Sequence, residues 1–276
     1  LAEVDVGTSG SVEVEHLAIE RAITATLAEL TQAAPVTACA TTGHGELPLD
    51  HAPKDADWSA VADRLRATGV AIESIEGPVP ARCDVVIVAG PATPLSPEEA
   101  LALQELVARG GGLLVAAASR PVYPGGRSES GPLHLGGQLA ATGLEALLGN
   151  EGLGISDAIA IDPALGVREL PGAILVSEGY ADHPVNAGFQ GARPTLWYEP
   201  RAVLAWDVAR PLISASPASW GERDRTHRPQ KDPDDLAGPT VLAAVGAVAA
   251  HRVIVVGSAE SFATSLLAGG ASAGDR

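Results

Sequence analysis

The sequence contains no methionine and only two cysteines, Cys39 and Cys83. Two cysteines cannot build a disulfide framework, and their spacing matches no metal-binding motif. Both fall in or beside segments that read as buried strands. Their expected role is that of small buried hydrophobes, and a single bridge between neighbouring strands is the alternative that the sequence leaves open. Positive charge is also scarce. Lys and Arg number 18 against 34 Asp and Glu, giving a net charge of −16 and a pI near 4.7. Such a balance argues against nucleic-acid binding through phosphate contacts. Long apolar runs are missing too. The stretch 241–250 is wholly apolar apart from glycine but too short to span a bilayer. No secretory leader is visible. The chain starts at Leu1, a poor residue to follow a removed initiator Met, so it is expected to be a piece of a longer protein whose anchor or targeting segment lies elsewhere.

What is present is a large apolar fraction, 46% of 276 residues, which argues against disorder and is enough for a full core without metals or disulfides. The stretch 83–119 organises the rest. Residues 85–89, Val-Val-Ile-Val-Ala, form a continuous β-branched run bounded by turn residues, which predicts a strand buried on both faces. Ser96 can cap a helix, Pro97 suits its first turn, and Glu98 and Glu99 favour the positive end of its dipole. Ala100, Leu103, Leu106 and Val107 then share a face, and Gly110 to Gly112 stop the helix. Residues 113–118 predict a second buried strand. Strand, helix and strand with both strands apolar throughout is a βαβ crossover, the unit of parallel sheets covered by helices.

Along the chain, 17–30 predicts an amphipathic helix with Ile19, Ile23, Leu27 and Leu30 on one face. Strands are predicted over 36–42, 70–75, 155–162, 173–177, 203–206, 212–215 and 252–257. Helices are predicted over 58–68, in the stretch 135–148, over 236–250 with Pro239 in the first turn, and over 258–267. The charged stretch 221–235 reads as an exposed loop. The sum is one α/β domain with a core over about 15–268. It is an open, mostly parallel, doubly wound sheet in three α/β/α layers, similar to the class I glutamine amidotransferase-like, or flavodoxin-like, fold.

Ligands of such sheets bind beyond the carboxyl ends of the strands. Candidate ligand-binding residues are therefore Gly43, His44 and Glu46 after the first buried strand, Pro91 after the central one, Ser119 after the next, and Ser258 after the last. His44 and Glu46 could serve as a base and its partner or as two metal ligands. A tight glycine turn whose polar groups cap nearby backbone is the plainer reading. No complete catalytic set is visible. There is no Gly-x-x-x-x-Gly-Lys-Ser/Thr phosphate loop, no dinucleotide fingerprint after the first strand, and no Gly-x-Ser-x-Gly elbow. The place where an amidotransferase carries its nucleophilic Cys holds Ala116-Ala117-Ala118-Ser119. No cofactor, metal or catalytic residue is expected.

Several pieces together resemble one family. These are Gly43-His44-Gly45-Glu46, the run from Asp84 to Pro91, Leu95-Ser96-x-x-Glu99, Gly111-Gly112-Leu113-Leu114-Val115, Asp182-His183-Pro184, Ser219-Trp220-x-Glu222, Gly238-Pro239 and the run from Arg252 to Gly257. The family is the GldG-like auxiliary component of ABC transporters of the gliding-motility type. The resemblance implies a membrane-anchored domain on the periplasmic or cell-surface side, working beside an ABC permease and ATPase, with an amidotransferase-like fold that lacks the catalytic Cys. In one place the chain departs from the family pattern, which usually puts an acidic residue where Ser258 stands.

The primary expectation is thus a non-catalytic interaction or ligand-sensing domain of a transport complex. One alternative is a degenerate or active amidotransferase-like hydrolase using His44 and Glu46, with Ser119 as a weak nucleophile candidate. A second is a carbohydrate-binding module using Trp197, Tyr198 and Trp220.

Overall fold

The computed structural model describes residues 3–6, 12–16, 36–53, 56–119, 121–122, 138–187, 189, 194–226, 228–246 and 252–269. The helix expected over 17–30 lies outside them.

Strands β1 (Glu3–Val6) and β2 (Val12–His16) form an antiparallel pair. The main body begins with β3 (Thr37–Thr42), followed by α1 (Ser59–Ala67), β4 (Ala71–Glu76), β5 (Val85–Ala89), α2 (Pro97–Ala108) and β6 (Gly112–Ala116). The short β7 (Pro121–Val122) and β8 (Gln138–Leu139) pair with each other, and α3 (Glu145–Asn150) follows. Then come β9 (Leu153–Ile161), β10 (Ala173–Val176), β11 (Thr195–Tyr198), β12 (Arg201–Ala205), β13 (Arg210–Ser214) and β14 (Trp220–Glu222). The described chain ends with β15 (Leu236–Ala237), β16 (Val241–Val245), β17 (Arg252–Val256) and α4 (Thr264–Gly269).

A seven-stranded sheet in the order β13-β16-β17-β6-β5-β3-β4 forms the centre. β4, β3, β5, β6 and β17 run parallel, and β16 and β13 continue the sheet antiparallel. Counted along the chain, the parallel strands lie in the order 2-1-3-4-5, so the order reverses between β3 and β5. The continuous apolar runs read as strands buried on both faces are so placed. Val86, Val88, Leu113, Val115, Val253 and Val255 face a core shared with α2 and α3. Ala38, Ala40, Ile87, Ala89, Ala116 and Val256 face a second core with Ala62 of α1 and Trp58 just before it. Helices thus cover both faces, and the βαβ unit over 83–119 is present as expected.

The expectation of alternating strands and helices missed the antiparallel part. A four-stranded sheet, β12-β9-β14-β15, packs beside α2 and α3 through Leu153 and Val203, and β10 and β11 form a separate ribbon. Of the helix expected over 236–250, residues 247–250 lie outside the described residues, and the described part forms β15 and β16 instead. Its alanine-rich apolar run has no helical period to separate it from a buried strand, and β16 is flanked on both sides by β13 and β17. Within the charged stretch 221–235, Glu222 belongs to β14 and is buried.

The two cysteines are bonded to each other, with Cα atoms 5.8 Å apart. Both side chains sit in the core on the α2 face. The connection from β4 to β5 passes over β3 on this face without a helix. The bridge ties its end directly to the strand it crosses.

Candidate functional site

The carboxyl ends of β3 and β5 flank the point of reversed strand order, where a ligand crevice is expected. Gly43 (φ 106°) turns the chain out of β3. The following loop is laced to the loop after β5. His44 O accepts hydrogen bonds from Ala92 N (2.8 Å) and Thr93 N (3.0 Å), and Leu47 N donates to Ala89 O (2.9 Å). These bonds tie the loops after β3 and β5 to each other and to the end of β5.

His44 and Glu46 do come together. Nδ1 of His44 lies 3.5 Å from Oε1 of Glu46, and the other Glu46 oxygen accepts from the His44 backbone N–H at 2.7 Å. A third group, assigned only a helix-dipole role by the sequence, completes the arrangement. Nε2 of His44 lies 3.1 Å from Oε2 of Glu99. Glu99 also closes a capping box with Ser96 at the start of α2, accepting from Ser96 N at 2.8 Å while its own N–H donates to Ser96 Oγ at 3.2 Å. Burial is the largest influence on the Glu99 carboxyl and pushes its pKa up. The Ser96 hydrogen bonds and the facing imidazole outweigh it and hold the pKa below its ordinary value. The Ser-x-x-Glu spacing was the readable signal for this cap. The cavity beside Glu99, between Thr41, Thr42, Ile75, Leu95 and Leu103, measures about 10 Å³, room for roughly one water molecule.

The remaining candidates serve other bonds. Pro91 is buried. Ser119 is buried and donates its hydroxyl to Oε2 of Glu260 at 2.6 Å, with its backbone N–H on the same oxygen at 3.1 Å. Glu260 opens the 3-10 turn after β17, three residues past Gly257. Ser258 donates its hydroxyl to Tyr198 O at 2.8 Å and accepts from Ser261 N at 3.1 Å. Of the three aromatics proposed as a sugar platform, Trp197 is a core residue, 3% exposed.

Sequence reasoning also missed a buried cluster at the start of α1. Asp57 accepts from Ala52 N (2.7 Å), Ser59 N (3.0 Å), Ser59 Oγ (2.7 Å) and Thr264 Oγ1 (2.6 Å). Nδ1 of His51 lies 3.0 Å from Ser59 Oγ. The hydroxyl lies between the ring and the carboxylate, whereas a nucleophilic triad needs the imidazole in the middle. The cluster instead joins α1 to the start of α4.

The family model described as an ABC-type uncharacterized transport system matches residues 36–264. The chain belongs to this family. The match takes in every candidate residue named above, in agreement with the GldG-like resemblance. No curated protein matches the chain. Among solved structures, the mmIFT52 N-terminal domain is similar over 84% of this chain and 90% of its own, at 15% identity and a TM-score of 0.57. At that identity the likeness concerns the fold alone. Weaker likenesses are to the exo-beta-1,4-mannosidase Op5Man5 from Opitutaceae bacterium strain TAV5 (TM-score 0.43, 11% identity, 87% of this chain and 34% of that one) and to a ThuA-like protein from Parabacteroides merdae ATCC 43184 (0.41, 10%, 81% and 79%).

Proposed function

We propose that this ABC transport auxiliary protein contributes a non-catalytic, extracytoplasmic domain that acts by contact with transporter subunits or a ligand, in the gliding-motility type of system. The observation that carries the reading is the state of the strand ends. At the strand reversal the two loops are tied together, His44 O accepting from Ala92 N and Thr93 N and Leu47 N donating to Ala89 O, and the hydroxyls of Ser119 and Ser258 are both donated to internal acceptors. Among the described residues no imidazole is bonded to the Ser119 hydroxyl, which is committed to Glu260. The 2-1-3-4-5 order of the parallel strands supports a flavodoxin-like, amidotransferase-related scaffold. The bond between Cys39 and Cys83 supports an oxidising compartment, since reducing cytosol keeps such pairs open. Among the described residues no helix is long and apolar enough to cross a membrane, so anchoring falls to segments outside them.

Purifying the full-length protein from its native membranes in mild detergent tests the reading. The expected result is recovery with an ABC permease and its ATPase in fixed proportion, and no turnover of p-nitrophenyl esters, amides or glycosides by residues 1–276. Recovery without either subunit, or turnover abolished by Ser119→Ala, would overturn it.

A further inference from the structure

Each ring nitrogen of His44 faces a carboxylate, and the two contacts differ in kind. Nε2 lies 3.1 Å from Oε2 of Glu99, within hydrogen-bond range. Glu99 is held there by its capping box with Ser96, whose hydrogen bonds favour the ionised carboxylate, so Nε2 is the nitrogen that carries a proton and donates it. The other nitrogen, Nδ1, then presents a lone pair. It faces Oε1 of Glu46 at 3.5 Å. Both atoms are buried, and neither has a hydrogen-bond partner among the described residues. The Glu46 side chain is 1% exposed, and its second oxygen is fixed by the His44 backbone N–H at 2.7 Å.

Two desolvated acceptors facing one another are costly unless a cation joins them. A proton on either atom would draw the pair to about 2.7–3.0 Å. A metal ion instead holds its donors apart. Nitrogen and oxygen donors about 2.0–2.2 Å from one zinc ion, at a tetrahedral angle, stand roughly 3.3–3.5 Å from each other. The separation of 3.5 Å between Nδ1 and Oε1 fits the second case. Glu99 behind the ring agrees with it. A metal-bound histidine normally gives its other N–H to a carboxylate, which fixes the tautomer, aims the ring and raises its basicity.

We propose that Nδ1 of His44 and Oε1 of Glu46 bind one divalent transition-metal ion, with zinc as the reference ion and Glu99 as the positioning residue that orients the ring. Imidazole with carboxylate suits such ions, whereas magnesium and calcium prefer oxygen donors throughout. The His44 side chain keeps 16% of its surface exposed, and the exposed Gly43 and Gly45 beside it bring no side chain of their own over the ring. Two protein donors leave coordination positions for water or for a donor group brought by a partner. The inference thus deepens the reading of a domain that acts by contact, and rests on it for its biological sense. The two fail separately, since zinc binding is measured on the isolated chain and recovery of transporter subunits on native membranes.

The test uses the chain of residues 1–276, stripped with EDTA and kept free of reductant so that Cys39 and Cys83 stay bonded to each other. Zinc chloride is titrated at pH 7 against a chromophoric chelator, with magnesium chloride as the control. The 15N resonances of the His44 ring are followed alongside. The expected result is one zinc ion per chain and a saturable shift at Nδ1 with Nε2 still protonated, and no response to magnesium. Affinity should fall about tenfold or more in His44→Gln and in Glu46→Gln. Glu99→Gln should keep the stoichiometry and weaken binding about 10–100-fold, as expected of a residue that acts through the ring. Asp232→Asn, in the exposed acidic stretch, should leave affinity unchanged. Equal binding by wild type and His44→Gln would overturn the proposal. So would a ring protonated at both nitrogens and indifferent to zinc, which would assign the gap to a proton alone. Should Glu46→Gln fail to fold, the wild-type resonances and the His44→Gln titration still decide it.

Discussion

Cys39 in β3 and Cys83 just before β5 are covalently joined on the α2 face of the sheet, where the connection from β4 to β5 crosses β3 without a helix. Both are buried, at 0% and 2% exposure. The bridge closes a loop of sequence separation 44, for which chain-entropy reasoning gives a stabilisation of about 4 kcal/mol, at the upper end of the usual range. The Cys39→Ala/Cys83→Ala pair should therefore lower the unfolding free energy by about 2–4 kcal/mol and Tm by roughly 5–10 °C. Because the sulfurs are buried, a reductant should act on the native protein only slowly and lower the urea midpoint once the chain has been unfolded with it. A midpoint indifferent to reduction would mean that the bridge does not hold the crossover.

Ser119 offers a second measurement. Its hydroxyl and backbone N–H share one buried oxygen of Glu260, linking the end of β6 to the turn after β17. Ser119→Ala removes one donor from a buried carboxylate and should cost about 1–3 kcal/mol. Ser119→Thr keeps the donor but must fit an extra methyl, and should recover part of the loss. A catalytic serine would instead tolerate Ala at unchanged or raised stability, so the denaturation midpoints of the two variants separate the roles.

The parallel half of the fold was legible because its strands are buried on both faces. Val85 to Ala89 and Leu113 to Ala116 carry β-branched or aliphatic residues at successive positions, and the Ser96 cap and Gly110 stop mark the helix between them. The antiparallel half was less legible. β16 reads Val-Leu-Ala-Ala-Val, which suits a helix as well as a strand, and only its neighbours β13 and β17 decide. The pairing of Cys39 with Cys83 depends on β3 and β5 being neighbours, which neither segment encodes alone. At the site, His44 and Glu46 are two residues apart and could be paired on paper. Glu99, Glu260 and Arg201 act across 55, 141 and 45 residues respectively, on His44, Ser119 and Ser156, and no local pattern signals such distances.

Asp57 should shape the acid limb of the stability profile. Burial is the largest influence and pushes its pKa up, yet the hydrogen bonds from Ala52, Ser59 and Thr264 together hold it well below the ordinary carboxylate value. A carboxyl lowered in the folded state contributes stability that is complete above its unfolded pKa, near 4, and is lost as pH falls toward the folded value. Wild type should therefore lose stability below about pH 4 more steeply than Asp57→Asn, and the gap between them should narrow as pH drops. Hydrogen exchange should show the change first at Thr264, whose N–H donates to Asp57 O at 2.8 Å. Parallel acid limbs for the two proteins would show that the cluster is not what titrates.

Gly90 and Gly110 separate backbone strain from packing at the strand ends. Both adopt the left-handed region, at φ 70° and 90°. A Cβ on Gly110 would meet nothing within 4 Å, whereas one on Gly90 would fall 2.7 Å from the Cβ of Ala259. Gly110→Ala should thus cost only the conformational penalty, about 1 kcal/mol. Gly90→Ala adds the overlap with the turn after β17, which is itself tied to the sheet by Ala259 N donating to Ala117 O at 2.8 Å. Its cost should reach roughly 2–4 kcal/mol. The double variant Gly90→Ala/Ala259→Gly removes the overlapping methyl and should return part of that difference, with a coupling energy of about 0.5–3 kcal/mol. Strict additivity of the two single changes would mean that the turn after β17 moves freely over the end of β5, and that the strand ends are not closed as tightly as these contacts require.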